Sequence, residues 1–249
     1  LDLVTSEYLF DVEFFGKVDL FTPILGKVTQ LFVANLRDYL SSCFDCIGIL
    51  LLIRIARGFL SMANQRQISV LRPYFESSAK LLWPRFQLVF SMHVASMNKA
   101  IAEGLSDVDT RRHTVTRRYA DFASAMHVCN VTYKDGRLQK ATNSLRALQE
   151  KLLLALCKSL PNEKTKIVFL INNYDHILTV MGARIAEDTD LPPSETMRRF
   201  ELLKNQQVAR FIDLELRGRF GALITYVSRA GDPDAPGAAG DEEQFTAVV

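Results

Sequence analysis

The stretch "KIVFLINNYDHILTV", residues 166–180, combines a strongly apolar pattern with a cluster of polar side chains. Its apolar residues recur at alternating spacings of four and three, which is the periodicity of one face of an α-helix. They are Ile167, Ile171, Tyr174 and Leu178, continued by Met181 and Ile185. Further apolar residues widen this face or lie opposite it: Phe169, Leu170, Ile177 and Val180. The pattern therefore predicts a helix that is central to its bundle.

The polar residues of this stretch divide into two groups on the helical wheel. Asn172, His176 and Thr179 share one narrow strip, which we expect to be exposed. Asn173 lies among apolar positions, so we expect it to be at least partly buried. A buried amide group without a partner costs about 1–3 kcal/mol. Asn173 is therefore predicted to bond to a backbone carbonyl or loop of a neighbouring element and to act as a structural register pin.

The composition of the chain favours a globular, all-α protein. Of its 249 residues, 48% are hydrophobic, and it contains only 12 Gly and 8 Pro. Few turn-forming residues disfavour an all-β fold, and no strand pair joined by a hairpin turn is visible. The formal net charge of +2 argues against a nucleic-acid-binding protein, which would usually be clearly basic.

Helical patterns and their breaks predict the domain organisation. We expect helices at 6–15, 19–63 with a bend near 41–42, 69–103, 115–131, 136–159, 162–186, 194–216 and 219–229. Pro84 predicts a kink or break within the third of these. A polar loop at 104–114 separates a first helical bundle, 1–104, from a second, 105–230. Residues 231–249 are rich in Gly, Pro, Ala and acidic residues and predict a low-complexity, disordered tail.

The most apolar run of the chain is "CIGILLLI", residues 46–53. A bilayer span needs about 20 apolar residues, so this run predicts a buried core helix of a soluble or peripheral protein. The pair Cys43 and Cys46 is expected on one face of this long helix, where two small buried apolar residues are favoured over a redox or metal site. The four cysteines form no disulfide framework, which indicates a reducing compartment. The chain starts without a signal peptide and is expected to be part of a longer protein.

Motifs for catalysis, cofactors or metals are absent from the sequence. "LGKVT" at 25–29 lacks the first Gly and the Ser or Thr of a phosphate loop. None of the four histidines pairs with another at a spacing of three or four, and no nucleophile elbow is present. We therefore predict no catalytic residues, no cofactor and no metal. The alternative is an all-α enzyme with a site around Asp175 and His176, although adjacent helical residues point about 100° apart.

The densest positive patch of the chain is "TRRHTVTRRYADF", residues 110–122. It contains Arg111, Arg112, Arg117 and Arg118. A solvated surface is the simplest interpretation, and contact with anionic lipid head groups or with an acidic partner is the alternative. Positive charge at a helix start opposes the helix dipole, so a carboxylate is expected nearby.

Several blocks of the sequence together resemble one family. They are "YLSSCFDCIGILLLIRI" (39–55), "LLWPRFQLVFSMHVASM" (81–97), "DTRRHTVTRRYADFASA" (109–125) and "FLINNYDHIL" (169–178). The last resembles a motif of helical-rod subunits of multisubunit tethering complexes. In order and spacing, from about Tyr8 to Ala230, the blocks are similar to the vacuolar protein sorting-associated protein 52 family, C-terminal portion.

This resemblance implies a fold, a function and partners. The fold would be an elongated rod of stacked antiparallel helical bundles. The function would be that of a non-catalytic subunit of the GARP and EARP vesicle-tethering complexes, in retrograde transport from endosomes to the trans-Golgi network and in endocytic recycling. The partners would be sister subunits, a Rab-family GTPase and SNAREs, at the cytosolic face of these membranes. The coiled-coil N-terminal part of the family has no counterpart in this sequence.

Overall fold

The computed structural model describes residues 2–16, 20–105, 108–131, 134–186, 192 and 194–230. Within these ranges every regular element is helical, which confirms the all-α prediction. The helices are α1 Asp2–Phe15, α2 Phe21–Ser42, α3 Cys46–Gln65, α4 Arg72–Glu103, α5 Thr114–Val131, α6 Gly136–Cys157, α7 Glu163–Ala186 and α8 Glu195–Ala230. A single 3-10 turn, Ser69–Leu71, precedes α4. The predicted tail at 231–249 lies outside the described residues.

The chain divides into two compact units. Unit 1 comprises residues 1–100 and 122–148, and unit 2 comprises residues 101–121 and 149–249. Residues 122–148, which the sequence placed in the second bundle, thus belong to unit 1. The division into a first helical bundle, 1–104, and a second, 105–230, stays a prediction.

The break between α2 and α3 comes slightly later than predicted and has a clear cause. Asp45 adopts an extended conformation and its carboxylate accepts a hydrogen bond from the Gly48 N–H at 2.9 Å, so it caps α3. Cys43 closes α2 and Cys46 opens α3. The expectation that both sulfurs lie on one face of a single helix is therefore wrong, because the cap at Asp45 separates them into two helices.

Two long helices cross positions where the sequence predicted an interruption. α4 continues through Pro84, so the predicted break is absent. Its neighbours Trp83 and Phe86 contact each other edge to face at 5.7 Å, and both are buried, so the helix is packed against the core on both sides of the proline. α8 is continuous where two helices were predicted, but Phe220 has non-helical backbone angles (φ −123°, ψ 20°) and marks a kink close to the predicted break.

Unit 1 packs around a small apolar cluster that joins α1, α2 and α4. Its buried members are Tyr8, Phe21, Ile68, Leu71 and Phe75. Helix α3 is buried along one face only, because Leu51 and Ile55 remain exposed. The prediction that the apolar run at 46–53 forms a buried core helix is therefore only partly correct.

Helix α3 is the one helix of the described residues that is long and apolar enough to cross a membrane by length and composition. It has 20 residues, so the earlier argument from the shorter apolar run at 46–53 does not exclude a span. A single helix of this kind is weak evidence, since core helices of soluble proteins share these properties.

A charged cluster within unit 1 fixes the start of α6. Asp135 caps the helix by accepting the Arg137 N–H at 2.8 Å, and its carboxylate also forms an ion pair with Arg57. Both guanidinium groups lie over the ring of Trp83, at 4.0 Å for Arg137 and 5.4 Å for Arg57. Burial alone would raise the pKa of Asp135, but these hydrogen bonds outweigh it and lower the pKa.

Unit 2 contains the opening stretch within its core. Phe200 of α8 is fully buried and contacts Tyr119 of α5 and Tyr174 of α7, with ring centroids 5.8 and 5.7 Å apart. Helices α7 and α8 are antiparallel. This follows from two ion pairs: Lys204 with Asp175 and Lys164 with Glu215. The prediction that α7 is central to its bundle is confirmed by the burial of Ile167, Phe169, Leu170, Tyr174, Ile177 and Met181.

Candidate functional site

Asn173 occupies a fully buried position and uses both atoms of its amide. Its Oδ1 accepts hydrogen bonds from the His113 N–H at 2.9 Å and from the Thr116 hydroxyl at 2.7 Å. Its Nδ2 donates to the carbonyl of Phe169 at 2.8 Å and to that of Arg111 at 3.3 Å. The amide therefore joins α7 to the loop before α5 and to the first turn of α5. This is the type of contact that the sequence predicted, whereas its role as a register pin stays a proposal.

The neighbouring amide fixes the same loop from the surface. Nδ2 of Asn172 donates to the Thr110 carbonyl at 2.7 Å. At the other end of the loop, Nδ1 of His113 accepts the Val115 N–H at 3.2 Å, and its carbonyl accepts the Thr116 N–H at 3.0 Å. His113 is thus the N-cap of α5. The loop from 110 to 113 is held at both ends, and the arginines on it are presented on a fixed backbone.

The surroundings of two histidines at this junction lower the pKa of each and so favour the neutral imidazole. Burial lowers the pKa of His113, and the carboxylate of Asp109 opposes this in part. Burial also lowers the pKa of His176, with further lowering by Arg112 and Arg117. The buried Nε2 of His176 has no hydrogen-bond partner among the described residues. These neutral imidazoles suit capping and packing better than charge recognition.

The four arginines of the predicted patch are all exposed. Arg111 lies 3.6 Å from the carboxylate of Asp109, which also accepts the Arg111 N–H at 2.8 Å. The carboxylate expected near this helix start is therefore present. Arg112, Arg117 and Arg118 form no ion pair within the described part of the chain. They leave positive charge available at the start of α5.

Asp175 and His176 lie near different neighbouring groups. Asp175 is exposed and contacts Lys204 of α8 at 3.1 Å, whereas His176 lies close to Arg112 and Arg117 of the α5 region. The two side chains thus face different neighbouring elements, as expected for adjacent helical positions. This divergence does not favour the enzyme hypothesis, which requires the two side chains to converge on one site.

The cysteines give no sign of reactivity. All four are buried and free. Burial raises the pKa of Cys46 to about 12, so its thiol stays protonated at neutral pH and is a poor nucleophile and metal ligand. Within the described ranges no group of three or more His, Cys, Asp or Glu side chains could hold a metal ion.

Sequence reasoning missed a second surface, an apolar groove in unit 1. It has a cavity volume of about 550 Å³ and lies between α2, α3 and α4. Phe32 of α2 and Ile55 and Phe59 of α3 line it, and all three are exposed. The sequence of α2 has apolar residues at helical spacing, but this pattern alone does not tell whether they pack in a core or line an open groove. In the structure only Phe21 and Leu40 of α2 are buried.

The fold and these surfaces define a class of protein: an α-helical protein with a buried, hydrogen-bonded polar cluster and with exposed apolar and basic surfaces that suit contact with other molecules. Comparison with known proteins gives the family. The family model "Vps52, C-terminal" matches residues 1–211. The chain is 35% identical over 235 residues to the vacuolar protein sorting-associated protein 52 homolog of Homo sapiens, covering 92% of this chain and 32% of that protein.

More distant relatives extend the same match. Vacuolar protein sorting-associated protein 52 A of Arabidopsis thaliana is 34% identical, over 94% of this chain and 32% of its own length. Vacuolar protein sorting-associated protein 52 of Schizosaccharomyces pombe is 29% identical, over 72% of this chain and 37% of its own length. No solved structure matches the chain. The chain belongs to the Vps52 family, within the part described as C-terminal, and spans about a third of the length of these relatives.

Proposed function

We propose that this chain is the C-terminal part of a non-catalytic subunit of a vesicle-tethering complex. In this function it serves as a protein-interaction scaffold in retrograde transport from endosomes to the trans-Golgi network and in endocytic recycling. The observation that carries the proposal is the match, over nearly the whole chain, to relatives named for vacuolar protein sorting. The complexes would be GARP and EARP, acting on the cytosolic face of these membranes.

The chemistry of the site supports a scaffold rather than a catalyst. An amide such as Asn173 is neither a good general base nor a nucleophile. Exposed apolar side chains are abundant on α1, α2 and α3, and surfaces of this kind mark sites of protein interaction. The partners in this proposal are sister subunits, a Rab-family GTPase and SNAREs.

A pull-down from cell extract tests the proposal, with the chain and its full-length form as parallel baits. The extract is loaded with either a GTP analogue or GDP, and bound proteins are identified by mass spectrometry. We expect the full-length bait to recover sister tethering subunits, and a Rab GTPase only in the GTP-analogue sample. Recovery of neither by the full-length bait would contradict the proposal.

A second candidate function is contact with anionic membrane through the start of α5. The observation that favours it is the set of three exposed arginines without an ion pair in the described structure: Arg112, Arg117 and Arg118. Each basic residue near an anionic surface contributes about 1 kcal/mol. Binding of that size would be lost at high salt because it is screened.

Sedimentation with phosphatidylserine vesicles tests this second function. The triple Glu variant of the three arginines is compared with a triple Glu variant of Lys80, Lys140 and Lys151, which are exposed elsewhere and undergo the same change in charge. We expect only the arginine variant to lose vesicle binding. Equal binding by both variants, or equal losses, would remove a specific role for the α5 start.

A further inference from the structure

The apolar groove in unit 1 has the dimensions of a binding site for one helix. Along α3 it extends from Gly48 to Phe59, a distance of about 16 Å at 1.5 Å per residue. Tyr39 of α2 lines the opposite side, and Leu82 of α4 is part of the floor. No charged side chain lines it. Three turns of helix with an apolar face would fill this length.

The helices around the groove are left with unpartnered apolar surface. Phe32 and Tyr39 on α2 are 59% and 54% exposed, and Ile55 on α3 is 51% exposed. An apolar side chain gains about 1.5–3 kcal/mol on full burial, so leaving several exposed on one concave surface is costly. Binding of a segment with a complementary apolar face would bury these side chains and would therefore be favourable.

The position of the first helix indicates where an occupant could enter. Asp2, at the start of α1, forms an ion pair of 2.7 Å with Arg66, just beyond the end of α3. Arg66 lies seven residues after Phe59, which is about 10 Å along the helix axis. The first described residue, Asp2, therefore lies close to the Phe59 end of the groove.

The full-length relatives contain a long segment that could provide such a helix. This chain covers about a third of each relative and matches a model described as C-terminal, so the larger part of a full-length relative precedes the matched region. We propose that an amphipathic helix from that preceding part of the same polypeptide docks in the groove and completes a four-helix arrangement with α2, α3 and α4. This inference rests on family membership and groove geometry, and it holds whether or not the chain acts in tethering.

Thiol labelling of the full-length protein tests this inference. Ile55→Cys places a thiol in the groove, and Lys140→Cys places one on the exposed surface of α6 in the same unit. The native cysteines of this part of the chain are buried, and peptide mass spectrometry reads the label at each position separately. We expect a maleimide to react at position 55 about tenfold or more slowly than at position 140, independently of protein concentration.

Each other outcome overturns the proposal. Equal labelling at positions 55 and 140 means that the groove is open in the full-length protein. Protection that grows with protein concentration means that a second copy, and not the preceding segment, covers it. Phe32→Cys provides an independent probe on the opposite side of the groove, and circular dichroism confirms that each variant keeps its helical content.

Discussion

Asn173 makes four hydrogen bonds from a position without solvent exposure, and this arrangement determines the cost of removing it. Asn173→Ala would leave the His113 N–H and the Thr116 hydroxyl without their acceptor. A buried group left unsatisfied costs about 1–3 kcal/mol, so we expect the free energy of unfolding to fall by about 2–4 kcal/mol. Urea denaturation followed by circular dichroism measures this change.

The adjacent asparagine provides the matched control for this variant. Asn172 is exposed and makes one hydrogen bond, to the Thr110 carbonyl. Water can replace that bond, so Asn172→Ala should lower the free energy of unfolding by less than about 1 kcal/mol. Equal effects of the two substitutions would show that the buried amide does not fix the register of α5 on α7.

His113 makes stability at this junction depend on pH. Its pKa in the folded protein is below the ordinary value of about 6.5, so the unfolded chain binds more protons than the folded chain between these two values. The contribution to stability is fully present above about pH 6.5 and is lost as the pH falls through the lowered pKa. His176, whose pKa is also lowered, acts in the same direction.

Replacing the capping histidine tests this dependence. Asparagine is a good N-cap and does not titrate, so His113→Asn should keep α5 capped and reduce the slope of stability against pH between about 5 and 7. Urea midpoints at several pH values measure the slope. An unchanged slope in the double variant His113→Asn, His176→Asn would contradict the assignment.

The sequence predicted the burial of Asn173 but not all of its partners. Helical periodicity places a residue on a face of its own helix, so the position of Asn173 among Phe169, Ile177 and Val180 was sufficient. Periodicity contains no information about which loop lies opposite. The hydrogen bond between Thr116 and Asn173 could therefore be identified only in the structure. Thr116 is itself buried in the first turn of α5 and, like Asn173, needs a hydrogen-bond partner there.

At the scale of the element, Pro84 is the clearest conflict between local preference and tertiary packing. A proline inside a helix removes one backbone hydrogen bond and costs about 3 kcal/mol. Helix α4 nevertheless continues, because Trp83 and Phe86 are buried on either side of it. Single-residue preferences cannot predict this outcome, since the packing of Trp83 with Arg57 and Arg137 depends on helices distant in sequence.

Removing the proline should stabilise α4. Pro84 is exposed, so Pro84→Ala restores the missing N–H donor without opening a cavity, and we expect the thermal midpoint and the free energy of unfolding to rise, the latter by about 1–3 kcal/mol. Ser91→Ala, an exposed change on the same helix, should alter it by no more than about 0.5 kcal/mol. A loss of stability in Pro84→Ala would mean that unit 1 requires the proline itself.

Helix boundaries were predictable where a local signal marks them and less so elsewhere. The kink at Phe220 comes close to the interval predicted between 216 and 219, and the interval predicted between 159 and 162, which contains Pro161, lies between α6 and α7. The break at 43–45 was displaced because Asp45, and not the serines before it, caps α3. A cap depends on the conformation of one side chain, which the apolar pattern does not encode.

At the scale of the whole molecule, a small net charge is combined with much exposed apolar surface. The formal net charge is +2, and most of the large exposed hydrophobic side chains lie on the first three helices. Proteins near neutrality repel one another weakly, so apolar surface of this kind favours binding of dyes and self-association. Exposure of this surface should distinguish the isolated chain from a full-length protein in which, as proposed above, a preceding helix covers the groove.

A hydrophobic fluorescent dye can locate this surface in the isolated chain. We expect the folded chain to enhance dye fluorescence, and the double variant Phe32→Lys, Ile55→Lys to reduce the enhancement by about half or more, because two charges enter the apolar groove. Leu202→Lys, at an apolar position of α8 that is 50% exposed, should leave most of the enhancement intact. Since all three positions are exposed, helical content should remain unchanged. If the groove variant binds the dye as strongly as the unmodified chain, the principal apolar surface lies elsewhere, and the exposed aromatic residues of α1 become the next surface to test.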